Sequence, residues 1–140
     1  MNLVGDASKE RFIAAFIDNL IAVGCMFAVA LLVPERFPVF KIVVYFLIYL
    51  AYFIVLEGLW SRTLGKYFQG LIVLHLDGRP CGWKAALIRG VLRIIEVNPL
   101  LFGGIPAGLA VISSERKQRV GDMLAETVVV SDKANRDIED

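Results

Sequence analysis

The sequence predicts an all-α integral membrane protein: two full transmembrane helices, a third hydrophobic region that is broken or re-entrant, and a small cytoplasmic element like a β-hairpin. Three observations predict it. The chain of 140 residues is 57% hydrophobic, with a mean hydropathy of +0.65, which is more apolar and less charged than a soluble domain of this size. Its first two apolar runs have the length, roughly 20 residues, that crosses a bilayer. Five prolines and glycines crowd into ten residues of the third, from Pro99 to Gly108. The net charge of +1 excludes the strongly basic face of a nucleic-acid binder.

The first run, FIAAFIDNLIAVGCMFAVALLV, covers residues 12–33. Its flank has mixed charge (Asp6, Lys9, Glu10, Arg11) and it is longer than a signal-peptide core, so it reads as an uncleaved anchor. Ser8 suits the helix N-cap. Asp18 lies mid-run, where a carboxylate costs roughly 2.5–3.5 kcal/mol to insert. Arg11 is seven residues earlier and shares its helix face. Arg11, Ala15, Asp18, Ala22 and Cys25 recur at spacings of 4, 3, 4 and 3, a seam whose small members permit close helix approach. Two readings of Asp18 stand side by side: glue to a neighbouring helix, or an ion- or proton-handling group. Either way it should face protein, near Arg11, Tyr45, Tyr49, Tyr52, Arg89 or Arg93.

The segment from Pro34 to Pro38 is a tight connection. The second run is uncharged from Ile42 to Leu56; the Lys41 stem and Trp60 extend it to a span over about 38–60. Tyr45, Tyr49 and Tyr52 line one face, either as auxiliary ligands for an ion or, more simply, as an aromatic packing surface. Glu57, near the end of this span, is expected to pair with Arg62 or Arg11.

Beyond it the chain turns polar and basic. Ser61 to Gln69 suits a short interfacial helix. Leu71–Leu76 and Thr127–Val130 are β-branched runs that would pair with each other. Asp77-Gly78 suits a type I′ turn, with both residues at positive φ. Helix resumes at Trp83 and leads into the third hydrophobic region, about 86–113. There Arg89, Arg93 and Glu96 share a face, so Arg93 can pair with Glu96, and Arg89 and Arg93 can reach Asp18 or lipid phosphates. Residues 97–114 are uncharged but contain Pro99, Gly103, Gly104, Pro106 and Gly108, poor material for one straight helix. Two shorter pieces fit better; three full crossings are the competing topology. Basic residues at Arg62, Lys66, Arg79 and Lys84, and again at Arg116, Lys117 and Arg119, place both termini in the cytoplasm by the positive-inside rule. The chain thus reads as one domain, 1–140, in the plasma (inner) membrane, with a cytoplasmic tail over 114–140. Asp122, outside any span, is expected to be structural, anchoring this tail to a basic residue such as Arg11, Arg62, Lys66, Arg89 or Arg119.

No catalytic constellation is visible. Gly65-Lys66-Tyr67 lacks the rest of a P-loop, His75 is alone, and no Cys/His cluster has metal spacing. Cys25 and Cys81 lie at different levels, so no mutual disulfide is expected. An enzyme is not expected, and no cofactor is implied.

Arg11 at the start of the first helix, Asp18 in its middle and Asp122 after the last hydrophobic region resemble the three signature residues of the RDD family. The resemblance extends through EGLWSRTLGKYFQGLIVLHLDGRP (Glu57 to Pro80) and SSERKQRVGDMLAETVVV (Ser113 to Val130). Glu126 stands where the family often has glycine, and Glu96 where it often has aspartate. The resemblance implies a multi-pass membrane protein. It leaves function open between transport, with cation/proton antiport proposed for a few members, and a membrane-embedded partner of another protein. Two expectations follow: a homo-oligomer in the lipid bilayer exchanging a small cation for protons through Asp18, or a non-transporting binding or regulatory protein.

Overall fold

The computed structural model describes residues 8–96, 109 and 113–139. Two long helices lead the chain: α1 (Ser8–Leu32) and α2 (Pro38–Trp60). Helix α1 begins four residues before the apolar run, taking Lys9, Glu10 and Arg11 into its first turn; the side chain of Ser8 lies outside the described residues. Pro38 sits at the start of α2, where its missing N–H costs nothing. Ser61 ends α2 in the left-handed conformation (φ 55°), its N–H donating to the Glu57 carbonyl at 3.0 Å.

Both helices are long and apolar enough to cross a membrane, and only 11% of the most apolar stretch of each is buried. That excludes the core helices of a soluble fold. Phe12, Phe16, Leu20, Phe27 and Leu31 on α1, and Phe40, Ile42 and Leu47 on α2, stand exposed; a continuous apolar surface of this kind requires lipid or protein to cover it. The two helices touch through Ala22, Tyr49 and Phe53, with Met26 and Tyr52 beside them. The buried seam of α1 is Ala14, Asp18 and Ala22; Cys25, placed on that seam by spacing, is exposed instead. A strict spacing of four rotates the stripe away from Cys25.

The rest of the chain forms a compact base at one end of the helix pair. It contains α3 (Leu64–Phe68), β1 (Leu71–His75), α4 (Gly82–Glu96), α5 (Val120–Leu124), β2 (Thr127–Ser131) and α6 (Asp132–Glu139). Strands β1 and β2 pair antiparallel, Leu71 opposite Ser131 and His75 opposite Thr127. The two β-branched runs therefore meet as their composition predicts. They are not a hairpin, however, because α4 and the third hydrophobic region separate them in sequence. The Asp77-Gly78 turn also differs from type I′: only Gly78 has positive φ (88°). The Asp77 carboxylate instead accepts from the Arg79 N–H at 3.1 Å, and the His75 carbonyl accepts from the Gly78 N–H at 2.9 Å.

Helix α4 is inside-out relative to a helix in water. Trp83, Leu87, Val91 and Ile95 recur every four residues and are exposed, while Ala85, Ala86, Arg89 and Arg93 are buried. Its polar face thus turns inward, as suits a helix whose outer side meets an apolar medium. Helix α4 packs tightly on α2 at two glycines. A Cβ on Gly58 would come within 2.6 Å of the Trp83 ring, and one on Gly90 within 2.5 Å of Ile54. The breaker-rich stretch from residue 97 lies almost wholly outside the described residues, and so does the side chain of Glu96.

Candidate functional site: a buried charge network

Where the base meets α1 and α2, charged side chains from five helices converge. Arg11 of α1 reaches Asp122 of α5: Nη2 donates to Oδ2 at 2.7 Å, and Nη1 donates to the Lys117 carbonyl. The other Asp122 oxygen accepts from Arg89 Nη1. Arg89 turns its Nε to Glu57 of α2 at 2.8 Å, and Glu57 also pairs with Lys66 of α3. Arg89 Nη1 donates further to the Thr127 hydroxyl at 2.8 Å, which ties the sheet to the same hub. Asp122 reaches back within its own helix to the Arg119 N–H at 3.2 Å, capping the short α5. The network has almost no access to water: Asp122 is fully buried, and Arg89 and Glu57 are each 2% exposed.

Burial by itself would raise the Asp122 pKa. The guanidiniums of Arg89, Arg119 and Arg11 outweigh it and hold the carboxyl well below the usual range. Lys66 goes the other way. Burial lowers its pKa to about 8, although Glu57 pulls against that. Burial pushes the Cys81 thiol up to about 11, so it is an unreactive core residue.

Asp18 forms a second cluster, built from hydroxyl and amide donors. Its Oδ1 accepts from the Tyr52 hydroxyl at 2.8 Å and from the Gly65 N–H at 2.8 Å, and its Oδ2 accepts from the Thr63 hydroxyl at 2.5 Å. Thr63 is also the N-cap of α3. The carboxylate of α1 thus satisfies an orphan donor in the first turn of α3, where a negative group is stabilised by the helix terminus. Gly65 permits this contact, because a Cβ there would lie 2.8 Å from Asp18 Cγ. Among the described residues, Asp18 has no ion pair.

The sequence-based pairings are therefore redistributed. Asp18 faces protein and takes Tyr52; Arg11 goes to Asp122, Arg89 to Glu57 and Asp122, and Arg93 to the face of Phe53, its guanidinium carbon 3.6 Å from the ring centroid. Tyr49 donates to Asn19 at 3.1 Å, and Tyr45 is not among the partners of Asp18. The tyrosine stripe does not converge on one point. Glu57 finds Lys66 and Arg89 rather than Arg62 or Arg11, and Arg62 pairs with Asp132 at 3.4 Å. Asp122 takes three of the basic partners open to it, Arg11, Arg89 and Arg119. The expected Arg93–Glu96 pair falls on a side chain outside the described residues. Sequence reasoning missed Thr63, Gly65 and Thr127. The signal for Thr63 was present: a threonine three residues before Lys66, at a helix start.

Two helices fit to cross a membrane, carrying a base locked by buried ion pairs, define a membrane protein with an ionic joint at one end. Comparison with protein families gives that class its place. The RDD family, a family of membrane proteins, matches residues 8–126, and this chain belongs to it. Of the three residues that carry the resemblance in sequence, Arg11 and Asp122 are bonded to each other in this joint, and Asp18 caps α3 in the cluster beside it. Comparison with curated proteins and with solved structures found no match.

Proposed function

We propose that this chain is a non-transporting, membrane-embedded binding protein. In this reading α1 and α2 cross the inner membrane, both termini are cytoplasmic, and the base is a rigid platform for a partner. The observation that carries the reading is the state of the carboxylates. Asp18, Glu57 and Asp122 are each occupied by protein donors, so a metal cation entering the joint would have to displace them. It would also meet five buried cationic side chains, Arg11, Lys66, Arg89, Arg93 and Arg119, a barrier to any cation.

Cation/proton exchange through Asp18 is the second reading, favoured by one observation: Asp18 has no cationic partner and its donors are hydroxyls and one amide. Flux of sodium or potassium against a proton gradient in proteoliposomes separates the two. The binding reading predicts no flux above empty vesicles. Flux that is abolished in Asp18→Asn while the variant stays folded would establish exchange.

A further inference from the structure

Among the described residues, five cationic side chains stand in or beside this joint against Glu57, Asp122 and the separately bonded Asp18, and the surplus is concentrated at Arg93 and Arg119. Both are at least nine-tenths buried. Among the described residues Arg93 has no ion pair, and its guanidinium lies over the ring of Phe53. Arg119 has one long contact, Nη2 to Asp122 at 3.4 Å, and Asp122 is already bonded to Arg11 and Arg89. Among the described residues, the Nε–H of each guanidinium is buried without an acceptor. The two sit close enough that Arg119, after burial itself, is the main influence lowering the pKa of Arg93. Unpaired buried donors on like-charged neighbours are costly, and nothing in residues 97–114, which follow Arg93 in the chain, carries a charge to relieve them.

We propose that Arg93 and Arg119 together bind a phosphate group, supplied either by an anionic lipid headgroup or by a free phosphate. The guanidinium fork matches a tetrahedral oxyanion, and two forks offer it parallel donor pairs. The ring of Phe53, 3.6 Å from the Arg93 guanidinium carbon, restrains that group before the ligand arrives. The location suits a lipid source, since basic pockets beside membrane helices take headgroups. The proposal deepens the binding reading by naming a ligand of the same base; it does not depend on the flux result, which can fail separately.

The test uses the full chain. In neutral detergent, thermal unfolding is followed at fixed ionic strength while chloride is replaced by inorganic phosphate. In parallel, the protein is placed in nanodiscs of phosphatidylcholine with or without phosphatidylglycerol. The expected result is a rise of several degrees in Tm that is lost in Arg93→Gln and in Arg119→Gln and kept in Arg79→Gln, an exposed control. A rise with inorganic phosphate identifies a soluble ligand; a rise confined to phosphatidylglycerol identifies a headgroup. Saturable binding of radiolabelled phosphate or lipid to the unmodified protein supplies the same answer if the glutamine variants do not fold. No rise with either ligand, or a rise that survives both substitutions, overturns the proposal. So does binding that appears only in Glu96→Gln, because Glu96 would then be the native counter-ion.

Discussion

The outer part of the helix pair and the base are held by opposite means. Between Ala22 and Phe53 the helices meet through small and aromatic side chains, with two hydroxyl ties, Tyr49 to Asn19 and, at the edge of the base, Tyr52 to Asp18. The rings of Tyr49 and Tyr52 meet Phe53 edge-on at 5.0 and 4.9 Å. In the base, by contrast, α1, α2, α3, α4 and α5 each send a charged group into one chain of contacts. The difference follows from what surrounds each part. Apolar helices in lipid gain little from hiding apolar surface, so small-residue packing decides their contact. A base made of short elements has a small core, and directed ion pairs define its geometry. A buried pair adds little net stability against an apolar pair, but breaking one leaves an uncompensated charge.

The largest break should come from the hub. Asp122→Ala leaves Arg11 and Arg89 without their shared acceptor and should lower stability by about 3–5 kcal/mol, read as unfolding in a denaturing detergent. Gly65→Ala comes next: its Cβ meets Asp18 and the α1 backbone, and overpacking of this kind costs about 1–3 kcal/mol. Amide exchange at the start of α3 should accelerate in that variant. If both substitutions are silent, the base is not held as described.

Lys66 gives a pH test. Its pKa falls from the ordinary 10.5 to about 8 on folding, so between those values the unfolded chain binds more protons than the folded one. Stability should therefore rise as pH climbs from about 8 towards 10.5. Lys66→Met should flatten that slope; an unchanged slope would assign it to another group. In the outer part, Tyr49→Phe removes only the tie to Asn19 and should cost about 0.5–1.5 kcal/mol. The smallest change is a gain. Glu126 has φ 54°, a left-handed conformation that penalises a side chain, so Glu126→Gly should stabilise by about 1 kcal/mol.

That last residue shows how the sequence could and could not be read. The chain makes a left-handed turn at Glu126, a conformation that glycine favours, and holds glutamate there. The long helices, the connection at Pro34–Pro38 and the pairing of the two β-branched runs were legible because each depends on local composition and period. The partners of Asp18 and Glu57 were not. Arg11 and Asp18 share a helix face, which invites an intrahelical pairing, but α3 folds back against Ala14 and Asp18 and takes that space. Contact between residues such as Arg11 and Asp122, 111 positions apart, is set by how the base docks, which no spacing rule encodes. Asp122 was legible as a tail anchor with basic partners because it lies outside any apolar run, beside Arg119.

The central claim is that Arg11 and Asp122, bonded across the fold, act as one joint. A double-mutant cycle on Arg11→Gln and Asp122→Asn, read as unfolding free energy in the intact membrane protein, tests it most directly. The account predicts a coupling of about 1–3 kcal/mol, the double variant losing less than the two single losses combined. Strictly additive losses would mean that Arg11 and Asp122 do not act through each other, and would contradict the joint.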